Sequence, residues 1–371
     1  MIVRNVFIVQ FNPIVKYPPL LNFLDYLSAN NPSATNITIC STDAHPTAKD
    51  FGKNIRLRLF PFNEKAGRFS RLIQYIWFNL RVLILLIVNK PSAVLYFESL
   101  SSWAPLIYRK YFNTKTKLLV HYHEYNTPEE FRNGMALISY FHKLEISFYG
   151  KMNWISHTNK IRMDMFLNDT GLKHHQNARI VPNYPMSEWY EQAKSIVKEN
   201  SSVIRLVYVG ALSLETTYIA EIVKFVNENT DQFKLDIFSN NIEDSALDFL
   251  NGFAGAQITQ KGAVDYNKLP EILPKYDIGL IIYKGNTANF EYNAPNKFFE
   301  YFTCGLNIIF SRGIKGLYEF ESELNSPWVR KADFENLVLE DFRNARSDIN
   351  KANSVYTAEA VLQPLADTIL N

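Results

Sequence analysis

Short apolar runs rich in Val, Ile, Leu and Phe recur along the whole chain, each separated from the next by a segment of helical periodicity. Strands with one face in water alternate apolar and polar residues, whereas these runs are apolar almost throughout and read as strands buried on both faces of parallel sheets. Parallel pairing needs a long crossover between strands, and the helical segments supply it. The first succession predicts strands at 3–10, 37–41, 93–97, 118–121, 154–156 and 178–181, with helices at 19–29, from 69, and at 135–148. A second succession predicts strands at 204–209, 234–238, 256–260, 278–283 and 306–310, with helices from 215, 243, 266 and 296. The expected fold is α/β, with two doubly wound, Rossmann-like domains.

At 371 residues the chain exceeds one ordinary core, which agrees with two domains. The run Val181-Pro182-Asn183-Tyr184-Pro185 ends a strand with prolines, and the polar stretch after it is poor in strand formers. A boundary is therefore expected at 185–202, dividing residues 1–188 from 200–356. A last amphipathic helix at 357–371 is expected to cross back to the first domain.

Hydrophobic residues at 47% against 20% charged exclude a disordered chain. Two cysteines, Cys40 and Cys304, make neither a disulfide framework nor a zinc cluster, so a reducing, cytoplasmic setting without a metal is expected. The N-terminal Met-Ile-Val-Arg-Asn-Val-Phe reads as a buried strand, since no small-residue cleavage site follows it. The most apolar stretch, 72–88, approaches a minimal membrane span, but Gln74, Asn79 and Arg81 interrupt it, so it reads as a buried or interfacial helix.

The formal net charge of +2 conceals a division. Residues 1–190 carry 22 Lys and Arg against 12 Asp and Glu, whereas residues 191–371 carry 17 against 25. Most of the basic excess lies between Lys49 and Lys117, where 13 cations meet only Asp50, Glu64 and Glu98. This asymmetry points to an anionic ligand or to an anionic membrane surface met by a protein peripheral on its inner face. Nucleic-acid recognition motifs are absent from the sequence, so nucleic acid is not an expected partner.

Ligands bind parallel sheets beyond the carboxyl ends of the strands, so chemistry is sought there. The richest segment runs Tyr292-Asn293-Ala294-Pro295-Asn296-Lys297-Phe298-Phe299-Glu300-Tyr301-Phe302-Thr303-Cys304-Gly305-Leu306. Pro295 suits a first helical position, and the free amides that follow, with the helix dipole and Lys297, make an anion site of the kind that receives a diphosphate. One turn on, Glu300 is placed to accept two hydroxyl hydrogen bonds such as a ribose offers.

That segment is similar to the Pro-x-Lys-x-x-Glu-Tyr-x-x-x-Gly signature of retaining glycosyltransferases of family 4, which have the GT-B fold. Leu206-Val207-Tyr208-Val209-Gly210-Ala211-Leu212 resembles the strand and tight loop that open the donor domain of that family. Gly262-Ala263-Val264-Asp265-Tyr266 with Leu269-Pro270 resembles its base-side segment, and Tyr276-Asp277-Ile278-Gly279-Leu280 its next strand. The resemblance implies two domains facing across a cleft, with a nucleotide-sugar donor, UDP- or GDP-linked, on the C-terminal domain and a glycan or lipid-linked acceptor on the N-terminal one. It implies no metal and no cofactor beyond that co-substrate.

Carried over to this chain, the resemblance places the ribose on Glu300 and the diphosphate on Pro295, Asn296, Lys297 and Phe298. The base is placed beside Val264 and Tyr266, and the diphosphate approach at Gly210 and Ala211. Where family members often carry a carboxylate eight positions before the one at Glu300, this chain has Tyr292, whose hydroxyl is the candidate donor contact in its place, with Glu291 beside it. The cations that commonly follow the first donor loop are absent from Ser213-Leu214-Glu215, leaving Lys297, Lys284 or Arg312 for the diphosphate charge.

In the first half, His121-Tyr122-His123-Glu124-Tyr125 comes at a strand end, and His123 and Glu124 are expected to meet the acceptor or the sugar. Lys16 and Tyr17, after the first strand, are candidate acceptor contacts, and the segment from Ser156 to Arg162 lies at a further strand end. Other readings of the same residues are a nucleotide-sugar epimerase of the same architecture, an inactive sugar-nucleotide binder, and a membrane scaffold.

Overall fold

The computed structural model describes residues 4–31, 35–42, 50–134, 136–172, 175–253, 255, 257–351 and 356–371. The chain divides into two compact units, Met1–Pro182 with Ala358–Asn371, and Asn183–Thr357. The division falls ahead of the expected 185–202 segment. Trp189 and Ala193, on the helix Glu188–Lys194, are buried in the core of the second unit, and Lys198 Nζ reaches the fully buried Asp277 at 2.6 Å.

In the first unit the strands are β1 (Arg4–Gln10), β2 (Thr35–Ser41), β3 (Ile55–Leu59), β4 (Ala93–Phe97), β5 (Lys117–Tyr122), β6 (Trp154–His157) and β7 (Ala178–Ile180). They form one sheet in the order β3-β2-β1-β4-β5-β6-β7, and every pairing is parallel. The order reverses between β1 and β4, which is the switch point beyond whose carboxyl end such a sheet leaves a crevice. β3 escaped the sequence reading because Ile55-Arg56-Leu57-Arg58-Leu59 alternates, as an edge strand with one wet face does. Predicted element starts at 3, 135 and 256 fall outside the described residues.

The helix Arg68–Asn89 buries Tyr75, Phe78, Asn79, Val82 and Leu86, one stripe at helical spacing. Its other face leaves Leu72, Ile73, Ile76, Trp77, Leu80, Ile84 and Val88 exposed. The last helix, Ala358–Leu370, belongs to the first unit and packs on the helix Pro18–Asn30, β1 and β4. Arg4 holds its end, donating from Nη1 to the carbonyls of Leu370 at 2.7 Å and Asn371 at 2.9 Å, where the helix dipole favours a cation.

The second unit has β8 (Ile204–Val209), β9 (Phe233–Phe238), β10 (Ile258–Gly262), β11 (Ile278–Ile281), β12 (Asn307–Ser311) and β13 (Val329–Ala332), in the order β10-β9-β8-β11-β12-β13, again all parallel. Its reversal lies between β8 and β11. β13, Val-Arg-Lys-Ala, was missed because two cations occupy its centre; Arg330 is nonetheless buried, with Nε 3.1 Å from Glu323. The helix Asn296–Thr303 is seated by Tyr301. A Cβ on Gly279 of β11 would stand 2.3 Å from the Tyr301 ring, so only glycine lets that ring lie on the strand. The Tyr301 hydroxyl in turn accepts the amide of Val209 at 3.0 Å.

Candidate functional site

Each unit carries a cluster at the carboxyl edge of its sheet. In the second unit, Gly210 follows β8 with φ +143°, a conformation that favours glycine. The Lys297 amine sits against it, and a Cβ at position 210 would come within 2.5 Å of that nitrogen. Lys297 is buried and donates to the Tyr283 hydroxyl at 2.9 Å. Its amine also lies 4.5 Å and 4.6 Å from the ring centroids of Tyr208 and Tyr283, an aromatic cage that stabilises a cation away from bulk water. The Tyr208 hydroxyl donates to the Ala211 carbonyl at 2.7 Å, which ties the Gly210-Ala211 turn to the cage.

Of the three cations that sequence left for a diphosphate, the structure places only Lys297 without a carbonyl or carboxylate partner. Lys284 donates to the Leu214 carbonyl at 2.8 Å, and Arg312 is paired with Asp333. Glu300, one turn beyond Lys297, is buried, and its carboxylate accepts no hydrogen bond among the described residues. Burial pushes its pKa up to about 7, with the Lys297 charge working the other way.

Two details differ from expectation. Pro295 is the residue before the first helical position, extended at φ −70° and ψ 150°, and its carbonyl accepts the Phe298 amide at 2.9 Å. The Phe298 side chain is fully buried against Phe299 and Phe320. Phe298 therefore offers neither its side chain nor its amide, and the helix-start donors narrow to Asn296 and Lys297. Val264 and Tyr266 lie past the end of the edge strand β10, partly buried, with the Tyr266 ring 4.7 Å from that of Trp189. Tyr292 is half-buried with Lys315 5.9 Å from its ring centroid, and the neighbouring Glu291 is engaged by Lys315 at 2.5 Å.

In the first unit the cluster centres on Glu98, which follows β4 with φ 61°, an uncommon conformation for a residue with a side chain. One oxygen, Oε1, accepts three donors: the Tyr17 hydroxyl at 2.9 Å, the His123 amide at 2.6 Å and the Glu124 amide at 3.2 Å. Burial first, then the charge of Glu124, pushes the Glu98 pKa up to about 8. On the other side, the buried Arg162 donates to the His123 carbonyl at 2.7 Å and to Thr158 Oγ1 at 3.1 Å. The 123–124 backbone is thus held from both sides, with the Tyr17 ring 4.8 Å from the His123 ring.

Tyr17, His123 and the Glu124 amide meet at this cluster. The side chain of Lys16 lies outside the described residues. His121 is a core residue, hydrogen-bonded to Ser156 Oγ at 2.9 Å and kept neutral by burial, with its pKa lowered to about 3. Glu98 was passed over in the sequence, although a carboxylate one position past the predicted strand 93–97 is where strand ends direct attention. Among the described residues no three His, Cys, Asp or Glu side chains are grouped to hold a metal ion.

No family model matches the chain, and no curated protein matches it. Solved structures do. Anabaena HepE in complex with UDP and glucose aligns over 98% of both chains with a TM-score of 0.68 at 10% identity. Sucrose-phosphate synthase from Thermosynechococcus elongatus aligns over 98% of both with 0.67 at 11%. A putative UDP-N-acetylglucosamine 2-epimerase from Listeria monocytogenes aligns over 99% of this chain and 96% of its own, with 0.63 at 11%. At such identities the likeness defines the fold, and the chain has the GT-B fold of two parallel-sheet α/β domains, as its sequence led us to expect.

Proposed function

We propose that this protein is a glycosyltransferase that moves a sugar from a UDP- or GDP-sugar to a hydroxyl of a glycan or lipid-linked acceptor, with retention at the anomeric carbon and no further cofactor. The observation that carries this reading is the pairing on one helix of the caged Lys297, set against the Gly210 turn, with the unpartnered carboxylate of Glu300. A diphosphate at the Gly210 turn meets the Lys297 amine and the Asn296 and Lys297 amides. Glu300 accepts the two ribose hydroxyls, and Val264 and Tyr266 border the base.

The chemistry follows from charge. Breaking the bond between the anomeric carbon and the diphosphate oxygen moves negative charge onto the leaving group, where a positioned cation and helix amides are most effective. The acceptor hydroxyl then adds to the same face of the sugar, and His123 and Glu124 contact the acceptor or the sugar. Retention rests on the resemblance to family 4. The exposed apolar stripe of the helix Arg68–Asn89, with Arg68, Arg71 and Arg81 on the same helix, supports a cytoplasmic protein bound peripherally to an anionic membrane, serving surface polysaccharide or glycoconjugate synthesis.

Calorimetric titration with UDP-, GDP- and ADP-sugars tests the reading, and absence of binding to all three overturns it. The likeness to an epimerase structure supports a second reading. Incubation with the nucleotide sugar alone separates the two, because an epimerase converts it without an acceptor and a transferase does not.

A further inference from the structure

The first unit holds a cavity of about 880 Å³ beside the carboxyl ends of β1 and β4. Phe11, which follows β1, and Leu100, which follows β4, form its inner wall. Leu72 and Tyr75 close it from the helix Arg68–Asn89, Phe62 from the preceding loop, and Leu137 from the helix Ala136–Tyr149. The wall is built rather than incidental. Tyr75 donates its hydroxyl to the Leu100 carbonyl at 2.6 Å, and the Phe11 ring packs edge-on against Tyr75 at 4.8 Å and Phe62 at 5.0 Å.

Two cations, Arg68 and Arg71, line this apolar space, and among the described residues no acidic side chain does. Neither arginine has a carboxylate partner among the described residues. An apolar chamber with two unneutralised guanidinium groups is complementary to a molecule with an apolar chain and an anionic head, and guanidinium favours phosphate through paired N–H donors. Leu72 belongs both to the cavity wall and to the exposed apolar stripe of its helix, so apolar surface runs unbroken from the chamber to the outer face of the unit.

We propose that this cavity is the acceptor subsite and takes an anionic amphiphile, with the apolar chain against Phe11, Phe62, Leu72 and Leu137 and the phosphate on Arg68 and Arg71. This rests on the transferase reading and narrows its acceptor to a lipid phosphate.

The test is calorimetric titration of the full chain with dodecyl phosphate below its micelle-forming concentration, beside inorganic phosphate and the neutral detergent dodecyl maltoside. Expected is saturable one-to-one binding of dodecyl phosphate, tighter than either control by about tenfold or more. The double substitution R68A/R71A, at two exposed positions, weakens it by about tenfold or more, and Leu137→Asp, which sets a carboxylate in the apolar wall, does likewise. Trp77→Ser with Ile84→Ser, on the outer stripe, leaves it intact. Equal affinity for inorganic phosphate or for the neutral detergent overturns the proposal, as does binding that survives removal of both arginines or is lost only with the stripe. No nucleotide sugar enters this titration. A protein that binds UDP-glucose but not dodecyl phosphate refutes the lipid subsite alone, and one that binds dodecyl phosphate but no nucleotide sugar supports the subsite while refuting the donor reading.

Discussion

The Tyr17 hydroxyl donates to Glu98 Oε1 across 2.9 Å, and that same oxygen receives the backbone amide of His123 at 2.6 Å. A residue just past the first strand is thereby tied to the end of the fourth and to the turn after the fifth, so three loops at the carboxyl edge of one sheet share a single acceptor atom.

The first prediction concerns pH. The Glu98 pKa rises to about 8 and that of Glu300 to about 7. Both groups hold their protons more tightly folded than unfolded, so the stability they contribute is complete below about pH 4.5 and is lost as pH rises through the folded values. Urea midpoints are expected to fall between about pH 5 and 8. Glu98→Gln, which keeps the accepting oxygen, flattens the upper part of that fall. An unchanged slope in the variant would show that Glu98 does not titrate there.

Lys297→Met removes the cation at Gly210 and leaves its aromatic cage filled. Nucleotide-sugar affinity is expected to drop by about 10- to 100-fold, the range for a hydrogen bond to a charged group. Calorimetry reads this directly, and circular dichroism separates it from unfolding.

Glu300→Leu is expected to weaken binding of the nucleotide sugar about tenfold, with no further loss for a 2′,3′-dideoxyribose analogue, since both changes remove the same hydrogen bonds. Wild-type affinity rises with pH through about 7, because ribose hydroxyls donate better to the carboxylate than to the acid.

Gly279→Ala drives a methyl group into the Tyr301 ring, where the Cβ would stand 2.3 Å away. The expected cost is about 2 kcal/mol in urea unfolding, from overpacking against a fully buried ring. Tyr301→Phe, which only loses the acceptor for the Val209 amide, costs about 1 kcal/mol.

Replacing Trp77 and Ile84 by serine on the exposed stripe is expected to lower sedimentation with phosphatidylglycerol vesicles several-fold at unchanged thermal stability. Unaltered sedimentation would remove the membrane from the proposed function.

The strand and helix pattern was legible because parallel strands are buried on both faces and stand out as apolar runs, and 93–97 and 204–209 were read to the residue. Two of the four edge strands were not, since Ile55–Leu59 and Val329–Ala332 each carry two cations that interrupt the apolar run, even though Arg330 is buried. Within the site, sequence spacing placed Lys297 and Glu300 one turn apart on a helix beginning beyond a strand.

What spacing along the chain has no means to register is distance between segments far apart in it. That Lys297 sits between Tyr208 and Tyr283 and against Gly210, while Lys284 and Arg312 are spent on Leu214 and Asp333, is decided by which strands lie side by side. The same holds for Glu98, an unremarked carboxylate in sequence, whose burial beneath Tyr17 and the 123–124 turn arises only when β1, β4 and β5 assemble. The sequence by itself determined two doubly wound sheets and the helix bearing the donor residues, because periodicity and local spacing are one-dimensional. Tertiary structure alone decided which charges have partners and which buried group lacks one, because pairing and desolvation depend on neighbours in space.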